Sequence, residues 1–340
     1  MKRHTAALIL PYFGTLPNYF PLWLKSAGYN PDFTFMLFTD ADCSGYNVPD
    51  NVKVIPMTLD GVKKLIVPHL DFEFVLDRPY KLCDYKPMYG LIFQDWLKGY
   101  DFWGHVDPDI IWGNIGAFIL NDLLSTCNRI GNRGHMCLYR NDEETNRLFT
   151  KKLPGWLITY RDIYSAKTYL YFDESKLLFN LFSNFTYWGG GGQRRITNRL
   201  DFVPYLRPLT PWGASKPFVA FRWKEGRIFG IYEDGEEREF IYIHLQKRQM
   251  RFDRGLENEN SFLVFPTEFV HDHEITSEEI TASITPSLEY EKEIDRKYRI
   301  RRLFPKLMRR TENFMHDTFR GKISTVKRLF DSVRHHGWMS

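Results

Sequence analysis

Three short apolar segments near the start of the chain constrain its fold more than any other feature. Residues 5–13 (TAALILPYF) and 32–40 (DFTFMLFTD) have the pattern of buried strands, and residues 51–59 (NVKVIPMTL) that of a third. A short helix is predicted between the first two, at residues 18–27. The order strand, helix, strand, strand favours an α/β domain with a parallel or mixed sheet, which binds ligands at the carboxyl ends of its strands.

The segments that follow complete the predicted domain. Residues 80–98 place apolar side chains on one helical face, and residues 100–114 read as a strand, a polar corner and a second short strand. Residues 262–270 (FLVFPTEFV) are expected to close the domain. We therefore predict one domain over residues 1–275 and a separate extension over residues 276–340.

The extension differs from the rest of the chain in charge. Residues 296–336 contain 13 Lys and Arg against three Asp and Glu, a net charge of +10, although the whole chain carries only +4. Two apolar stripes at helical spacing run through this region, so it predicts two basic amphipathic helices. Such helices lie on anionic lipid, dock on their own domain or bind a second subunit, and the sequence leaves these alternatives open.

Several protein classes are excluded by composition. No apolar run approaches the ~18 residues of a membrane span, and no signal peptide is expected. The cysteines lack a CxxC spacing, which argues against a zinc site or a disulfide framework. We therefore expect a cytoplasmic protein, with the basic tail as a means of peripheral attachment to the inner face of the cell membrane.

The most informative motif is HVDPDIIWG, at residues 105–113. Asp107 and Asp109 flank a proline whose φ is fixed, so the corner is stiff and both carboxylates are able to converge on one point. Two convergent carboxylates form an oxygen site for Mg²⁺ or Mn²⁺. A second D-x-D triplet, at Asp40 and Asp42, has the same spacing, and a purely structural turn at Asp107 is the alternative interpretation.

His244 is the second candidate metal ligand. Alternation along REFIYIHLQKR puts its imidazole on the same strand face as Phe240 and Tyr242. An imidazole ligand suits Mn²⁺ better than Mg²⁺. The neighbouring Lys247 is a candidate cation for a diphosphate, whereas a hydrogen-bonded structural histidine is the alternative.

Two further acidic positions have a functional and a structural interpretation. Asp173 and Glu174 either remove a proton from an attacking hydroxyl or cap the following helix. The motif CDYKP, taken alone, indicates that Asp84 caps the start of a helix and that Lys86 is exposed to solvent. The glycine-rich loop at residues 188–195 lacks the order of a phosphate-binding P-loop.

Taken in order, PYF after the first strand, TD after the second, CDYKP, DFWGHVDPD and IHLQKR resemble nucleotide-sugar glycosyltransferases of the GT-A fold. The similarity is greatest to bacterial glycosyltransferase-like proteins of polysaccharide biosynthesis clusters. It covers about residues 5–270 and excludes the basic tail. The resemblance implies a Rossmann-like, mainly parallel sheet flanked by helices, and transfer of a sugar from a nucleotide donor, a UDP-sugar in particular, to a glycan or lipid-linked acceptor.

The resemblance also implies a role for each matching residue. Asp107 and Asp109 would hold a divalent cation with His244, and Asp107 would also contact the donor. The remaining implied donor contacts are Tyr12, Phe13 and Asp40 where the base and ribose bind, Asp84 and Lys86 over the donor, and Lys247 at the diphosphate. The proline between the aspartates departs from the expected pattern.

Two other functions compete with this one. A nucleotidyltransferase also sets paired aspartates around Mg²⁺ on an α/β sheet, but LPYFGTLPN is not the glycine-rich basic loop that such an enzyme carries near its N-terminus. A non-catalytic protein that binds membranes or nucleic acid through its tail is the second alternative, although we expect no nucleic-acid partner.

Overall fold

The structure is a computed structural model. It describes residues 4–152, 157–175, 177–178, 200–201, 219–245, 249–252 and 255–284. The basic tail and the glycine-rich loop lie outside the described residues, so the tail helices and the domain boundary at residue 275 stay predictions. Among the described residues, no helix is both long and apolar enough to cross a bilayer.

Most α-helices of the described chain lie in its first half, and most of the later elements are strands. The strands are β1 (Ala6–Tyr12), β2 (Phe33–Thr39), β3 (Val52–Pro56), β4 (Phe102–Val106), β5 (Ile110–Trp112), β6 (Arg129–Arg133), β7 (Met136–Arg140), β8 (Leu200–Asp201), β9 (Ala220–Lys224), β10 (Arg227–Ile231), β11 (Glu237–Phe240), β12 (Tyr242–His244), β13 (Arg251–Phe252), β14 (Ser261–Val264) and β15 (Glu268–His271). The α-helices are α1 (Phe20–Gly28), α2 (Leu59–Ile66), α3 (Leu82–Tyr85), α4 (Tyr89–Ile92), α5 (Ile115–Phe118), α6 (Asn121–Thr126), α7 (Glu143–Arg147), α8 (Tyr160–Ser165) and α9 (Ser277–Ile284).

The first sheet has the strand order β3-β2-β1-β4-β7-β6. Its first four strands are parallel to one another. β7 pairs with β4 in the antiparallel sense, and β6 pairs with β7 in the same way. The predicted mixed α/β fold is confirmed, and the three predicted N-terminal strands and the helix between the first two are all present. Because β1 and β4 are parallel neighbours, their carboxyl ends lie side by side at one edge of the sheet.

Both faces of this sheet are buried. Ala7 and Ile9 of β1 pack in one apolar cluster, with helices of the 59–92 region, whereas Leu8 and Leu10 pack in a second cluster with α1. Burial on both faces is typical of parallel strands covered by helices, and it explains why β1 is apolar along most of its length.

A second six-stranded sheet, of order β11-β10-β9-β14-β15-β13, was not predicted. It is antiparallel except for the β13–β15 pair. The hairpin between β9 and β10 turns at Glu225 and Gly226, with φ of 46° and 80°. Positive φ at both central residues is the requirement of a type I′ turn, which matches the twist of the flanking strands. Residues 262–270, which are expected to close the domain, lie in the antiparallel β14–β15 hairpin of this sheet.

Helix α1 lies between the two sheets. Trp23 and Leu24 pack against the first sheet, and Leu22 packs against the second. Just after the helix, the buried Asn30 amide donates to the carbonyl oxygens of Ser26 (3.1 Å) and Gly113 (2.9 Å). Its Oδ1 accepts from Ile115 N at 2.8 Å. Asn30 therefore fixes α1 to the segment that follows β5.

A small third sheet joins β5, β12 and β8. The sequence predicts one strand through residues 238–244, but the chain changes sheet at Ile241, whose carbonyl oxygen accepts from Gly113 N at 2.9 Å. A Cβ at Gly113 would approach the Phe240 carbonyl oxygen to 2.6 Å. The close approach of the two backbones thus requires glycine at position 113.

The predicted helix over residues 80–98 forms as a series of short turns. A 3₁₀ turn at Pro79–Lys81, helix α3, a second 3₁₀ turn at Lys86–Met88 and helix α4 follow one another directly. Pro87 lacks an N–H donor and crowds the preceding turn, which accounts for the interruption.

Replacement of Asn30 by alanine is expected to lower the free energy of unfolding by about 2–4 kcal/mol, because buried backbone groups lose their only described side-chain partner. Chemical denaturation of the full chain measures this. The exposed Asn47→Ala variant serves as the control and should change stability by no more than about 0.5 kcal/mol. Equal stability of both variants would contradict the role assigned to Asn30.

Candidate metal centre and its surroundings

The turn between β4 and β5 carries both aspartates of the D-P-D motif. Asp107 N donates to the His135 carbonyl oxygen at 3.2 Å, and the indole N–H of Trp23 donates to the Asp107 carbonyl oxygen at 3.3 Å. The side chain of Asp109 is buried, and that of Asp107 is 25% exposed. The turn is therefore held from two sides at the carboxyl end of a central strand.

His244 is brought to this turn by strand pairing. In the β5–β12 ladder His244 lies opposite Ile110, and Leu245 N donates to the Asp109 carbonyl oxygen at 2.8 Å. The imidazole Nε2 lies 3.5 Å from Asp109 Oδ1. A short ladder thus joins residues that are more than a hundred positions apart in the sequence.

Asp107, Asp109 and His244 form what we call the metal group. One ligand atom from each lies within 4.8 Å of the others. Two atoms bound to one ion at about 2.1 Å are at most about 4.2 Å apart, so a small closure brings all three into range. Two carboxylates and one imidazole are a donor set that fits Mn²⁺. The group could therefore hold a divalent cation.

Lys86 connects the metal group to the rest of the site. Its ammonium lies 2.7 Å from Asp107 Oδ1, donates to the Gly134 carbonyl oxygen at 2.7 Å and lies 3.3 Å from Asp173 Oδ2. Burial acts to lower the pKa of Lys86, but neighbouring acidic groups, Asp107 foremost, raise it well above its ordinary value. Lys86 is thus a buried cation beside the metal group, not the solvent-exposed residue of the alternative interpretation.

Asp173 is the buried carboxylate on the far side of Lys86. Its Oδ1 accepts a hydrogen bond from the Tyr169 hydroxyl at 2.9 Å. Burial raises the pKa of Asp173 to about 6, while Lys86 acts in the opposite direction. With both oxygens engaged, this carboxylate is positioned by its neighbours and shielded from solvent.

Glu174 is exposed, in contrast to Asp173. Its Oε1 accepts from Gly134 N at 3.0 Å. A Cβ at Gly134 would overlap the Asp173 carboxylate and come within 3.0 Å of Glu174 Cγ. The glycine therefore lets the hairpin between β6 and β7 approach both acidic residues.

Asp84, which the resemblance places over the donor, is engaged with groups of the protein itself. Its carboxylate is fully buried, pairs with Lys81 at 2.8 Å, and accepts from the backbone N–H groups of Leu170 and Phe172 at 2.9 and 3.0 Å. A charged carboxylate is stable in such a place only with these partners. Asp84 holds the segment that precedes Asp173, and so has a structural role.

The predicted nucleoside-side residues lie at the ends of β1 and β2. Asp40 is exposed and accepts from Gly14 N at 2.9 Å. The Tyr12 hydroxyl donates to the Thr15 carbonyl oxygen at 2.9 Å, and burial, followed by Asp109, raises its pKa. Phe13 instead packs in the apolar core at 9% exposure, so its ring is not presented for stacking on a base.

Lys247 belongs to the residues that the structure does not describe, so its diphosphate contact stays a prediction.

His135 lies beside the metal group and was not predicted. Its ring stacks on that of His244, with the ring centroids 4.1 Å apart, and its Nδ1 lies 3.0 Å from the Tyr242 hydroxyl. The contact joins residues distant in sequence, and no local motif around His135 indicates it.

Replacement of Asp109 by asparagine is expected to weaken Mn²⁺ binding by at least about tenfold, because one of two anionic ligands is lost. Electron paramagnetic resonance of free Mn²⁺ during titration measures this. Asp42→Asn is the matched control, since Asp42 belongs to the other D-x-D triplet and is exposed. Equal affinity of the two variants would remove the metal assignment.

The raised pKa of Asp173 predicts a pH-dependent contribution to stability. The folded protein keeps this proton up to about pH 6, whereas the unfolded chain loses it near pH 4. The contribution is complete below about pH 4 and is lost as the pH rises through about 6. The stability advantage of the wild type over Asp173→Asn should therefore fall by roughly 2–3 kcal/mol across that range. Denaturation in EDTA measures it, and a constant difference would contradict the shift.

Solved structures with some similarity to this chain include glycosyltransferases. The galactosyltransferase LgtC, in complex with donor and acceptor sugar analogues, has 10% identity and a TM-score of 0.32, over 53% of this chain and 72% of that one. GlyE of Streptococcus pneumoniae TIGR4 has 12% identity and a TM-score of 0.26, over 54% of this chain. The chain spans less than half the length of GlyE, as the matched 44% indicates.

Comparison of the sequence with protein-family models identifies the family of this chain. No curated protein sequence matches the chain significantly. A family model described as "Family of unknown function (DUF6625)" matches residues 8–273, which include β2 to β15 and the whole metal group. The chain belongs to the DUF6625 family.

Proposed function

We propose that this protein is a metal-dependent glycosyltransferase of the hexosyltransferase type. It moves a sugar from a nucleotide diphosphate donor, a UDP-sugar in the first instance, to a glycan or lipid-linked acceptor in bacterial surface polysaccharide synthesis. The observation that carries this proposal is the convergence of Asp107, Asp109 and His244 within 4.8 Å at the carboxyl end of β4. In α/β sheets, this edge is where nucleotides bind.

The donor set supports binding of a diphosphate through a cation. Carboxylates and an imidazole leave further coordination positions for phosphate oxygens. When bound, Mn²⁺ or Mg²⁺ would neutralise part of the negative charge that develops on the diphosphate. Lys86 contributes a fixed positive charge 2.7 Å from Asp107, and it is buried, so water screens it little.

The nucleoside is proposed to lie along the ends of β1 and β2. Tyr12 and Asp40 are the residues available there for the base and the ribose, since both are at least partly exposed. β1 pairs in parallel with β4, the strand that leads into the turn of Asp107 and Asp109, so this end of the site adjoins the metal group.

The transfer step needs a group that accepts a proton. The bond between sugar C1 and the diphosphate oxygen breaks, and the nucleoside diphosphate leaves with the bonding electrons. A bond forms between C1 and the acceptor oxygen, whose proton passes to a carboxylate. Of the two predicted bases, we propose Glu174 for this role because it is exposed, and Asp173 as the residue that positions Lys86.

The acceptor class and the role of the tail are proposed from the sequence alone. A glycan or lipid-linked saccharide is the acceptor class that fits the reaction. Binding of residues 296–336 to an anionic membrane would bring the enzyme to a lipid-linked acceptor, with the opposite charge of tail and lipid as the attraction.

The proposed function predicts Mn²⁺-dependent binding and turnover of a nucleotide sugar. Calorimetry with a panel of UDP-, GDP-, ADP- and dTDP-sugars, with and without Mn²⁺, should find binding of at least one donor that EDTA abolishes. Glu174→Gln should keep donor binding and lower turnover by at least about a hundredfold, because the proton acceptor is lost.

Glu233→Gln provides the control for this experiment, because Glu233 is exposed in the turn before β11. Its turnover should equal that of the wild type. Donor binding that does not depend on a divalent cation, or turnover in Glu174→Gln equal to the control, would contradict the proposed mechanism.

A further inference from the structure

Three tyrosines lie side by side next to Asp173, and the proposed reaction does not use them. The rings of Tyr80 and Tyr169 are 5.0 Å apart at 75°, and those of Tyr169 and Tyr171 are 4.2 Å apart at 44°. Tyr80 is 44% and Tyr171 is 53% exposed, so large aromatic surface faces solvent here. We call these three residues the tyrosine platform.

The platform is linked to the metal group by three consecutive polar contacts. The Tyr169 hydroxyl donates to Asp173 at 2.9 Å, Asp173 lies 3.3 Å from Lys86, and Lys86 lies 2.7 Å from Asp107. Each member except Asp107 and Tyr169 is almost fully buried. The exposed rings therefore have a fixed position relative to the proposed reaction centre.

A buried ion pair holds the segment that presents the platform. Lys81 donates to the Thr168 carbonyl oxygen at 3.0 Å, and Asp84 accepts from Leu170 N and Phe172 N. Leu170 and Phe172 also pack against the apolar core. The alternate residues of this segment, Tyr169 and Tyr171, are left to form the platform.

The backbone at Tyr171 adopts an uncommon conformation. Its φ of 58° and ψ of 40° lie in the left-handed region, which costs a tyrosine free energy relative to glycine or asparagine. Burial of the ring does not compensate for this cost, because the side chain is half exposed. The surrounding hydrogen bonds impose the conformation, and it turns the ring outward.

We propose that the tyrosine platform binds a pyranose ring of the acceptor, with the apolar C–H face of the sugar on Tyr171 and its hydroxyls toward Glu174. This inference rests on the proposed function and names the part of the acceptor that the site recognises. Aromatic rings supply a rigid apolar surface at low entropic cost, and the neighbouring carboxylate accepts hydrogen bonds from sugar hydroxyls.

A nucleobase is the other flat ligand that stacks on tyrosine, and the position of the platform argues against it. The proposed nucleoside residues follow β1 and β2, and β1 pairs in parallel with β4, the strand that leads into the metal group. The platform is instead linked through Tyr169 to Asp173 and Lys86. We therefore assign the platform to the acceptor and the ends of β1 and β2 to the donor.

Saturation-transfer difference NMR tests the proposal without donor, metal or turnover. The probes are methyl glycopyranosides of glucose, galactose and N-acetylglucosamine, with uridine as a fourth probe, all in EDTA. Saturation of sugar ring protons is expected in the wild type, a loss of at least about fivefold in Tyr171→Ala, and recovery in Tyr171→Phe, which keeps the ring.

Tyr29→Ala is the matched control, because Tyr29 is a similarly exposed tyrosine (42%) elsewhere on the protein, beside Trp223. It should keep the wild-type saturation. Equal losses in Tyr29→Ala and Tyr171→Ala, no sugar saturation in the wild type, or a Tyr171-dependent signal from uridine alone would overturn the proposal.

The outcomes also separate this inference from the proposed function. Metal-dependent donor turnover without a Tyr171-dependent sugar signal contradicts only the platform. A Tyr171-dependent sugar signal without turnover of any donor contradicts the glycosyltransferase reaction and leaves a saccharide-binding surface.

Discussion

One buried ammonium group holds the candidate site together. Lys86 contacts Asp107 of the β4–β5 turn, the Gly134 carbonyl oxygen of the β6–β7 hairpin and Asp173 of the segment after α8. A cation with so little contact with water is stable only when such oxygens surround it, so the three segments are fixed relative to one another. Lys86 thus sets Asp107 relative to Asp173 and its neighbour Glu174, while the β5–β12 ladder adds His244 and the Lys81–Asp84 pair holds the segment of the tyrosine platform.

The N-terminal half of the fold and the acidic turn could be predicted because their signals are local. Strands β1 and β2 are largely apolar and buried along most of their length, as expected for parallel strands covered on both faces, whereas β3 is a partly exposed edge strand. The proline between Asp107 and Asp109 marks the corner between β4 and β5. The pairing of His244 with this corner was predicted through the order of motifs along the chain, and the β5–β12 ladder is its physical basis.

What could not be predicted depends on contacts between distant residues. Asp84 has the sequence signature of a helix cap, but its partners Leu170 and Phe172 lie more than eighty residues away. The second sheet begins at a hairpin whose turn contains Glu225 at positive φ, where asparagine or glycine would have been a clear signal. His135 and Tyr169 likewise acquire their roles only through the packing of separate hairpins and loops.

Pulsed electron paramagnetic resonance of Mn²⁺ bound to the full chain with a UDP-sugar tests whether the metal group holds the cation at the donor. We expect coupling of the ion to one histidine nitrogen, which disappears in His244→Ala, and coupling to phosphorus of the donor. A nitrogen coupling that persists in His244→Ala, or bound Mn²⁺ without phosphorus coupling in the presence of the nucleotide, would contradict this expectation.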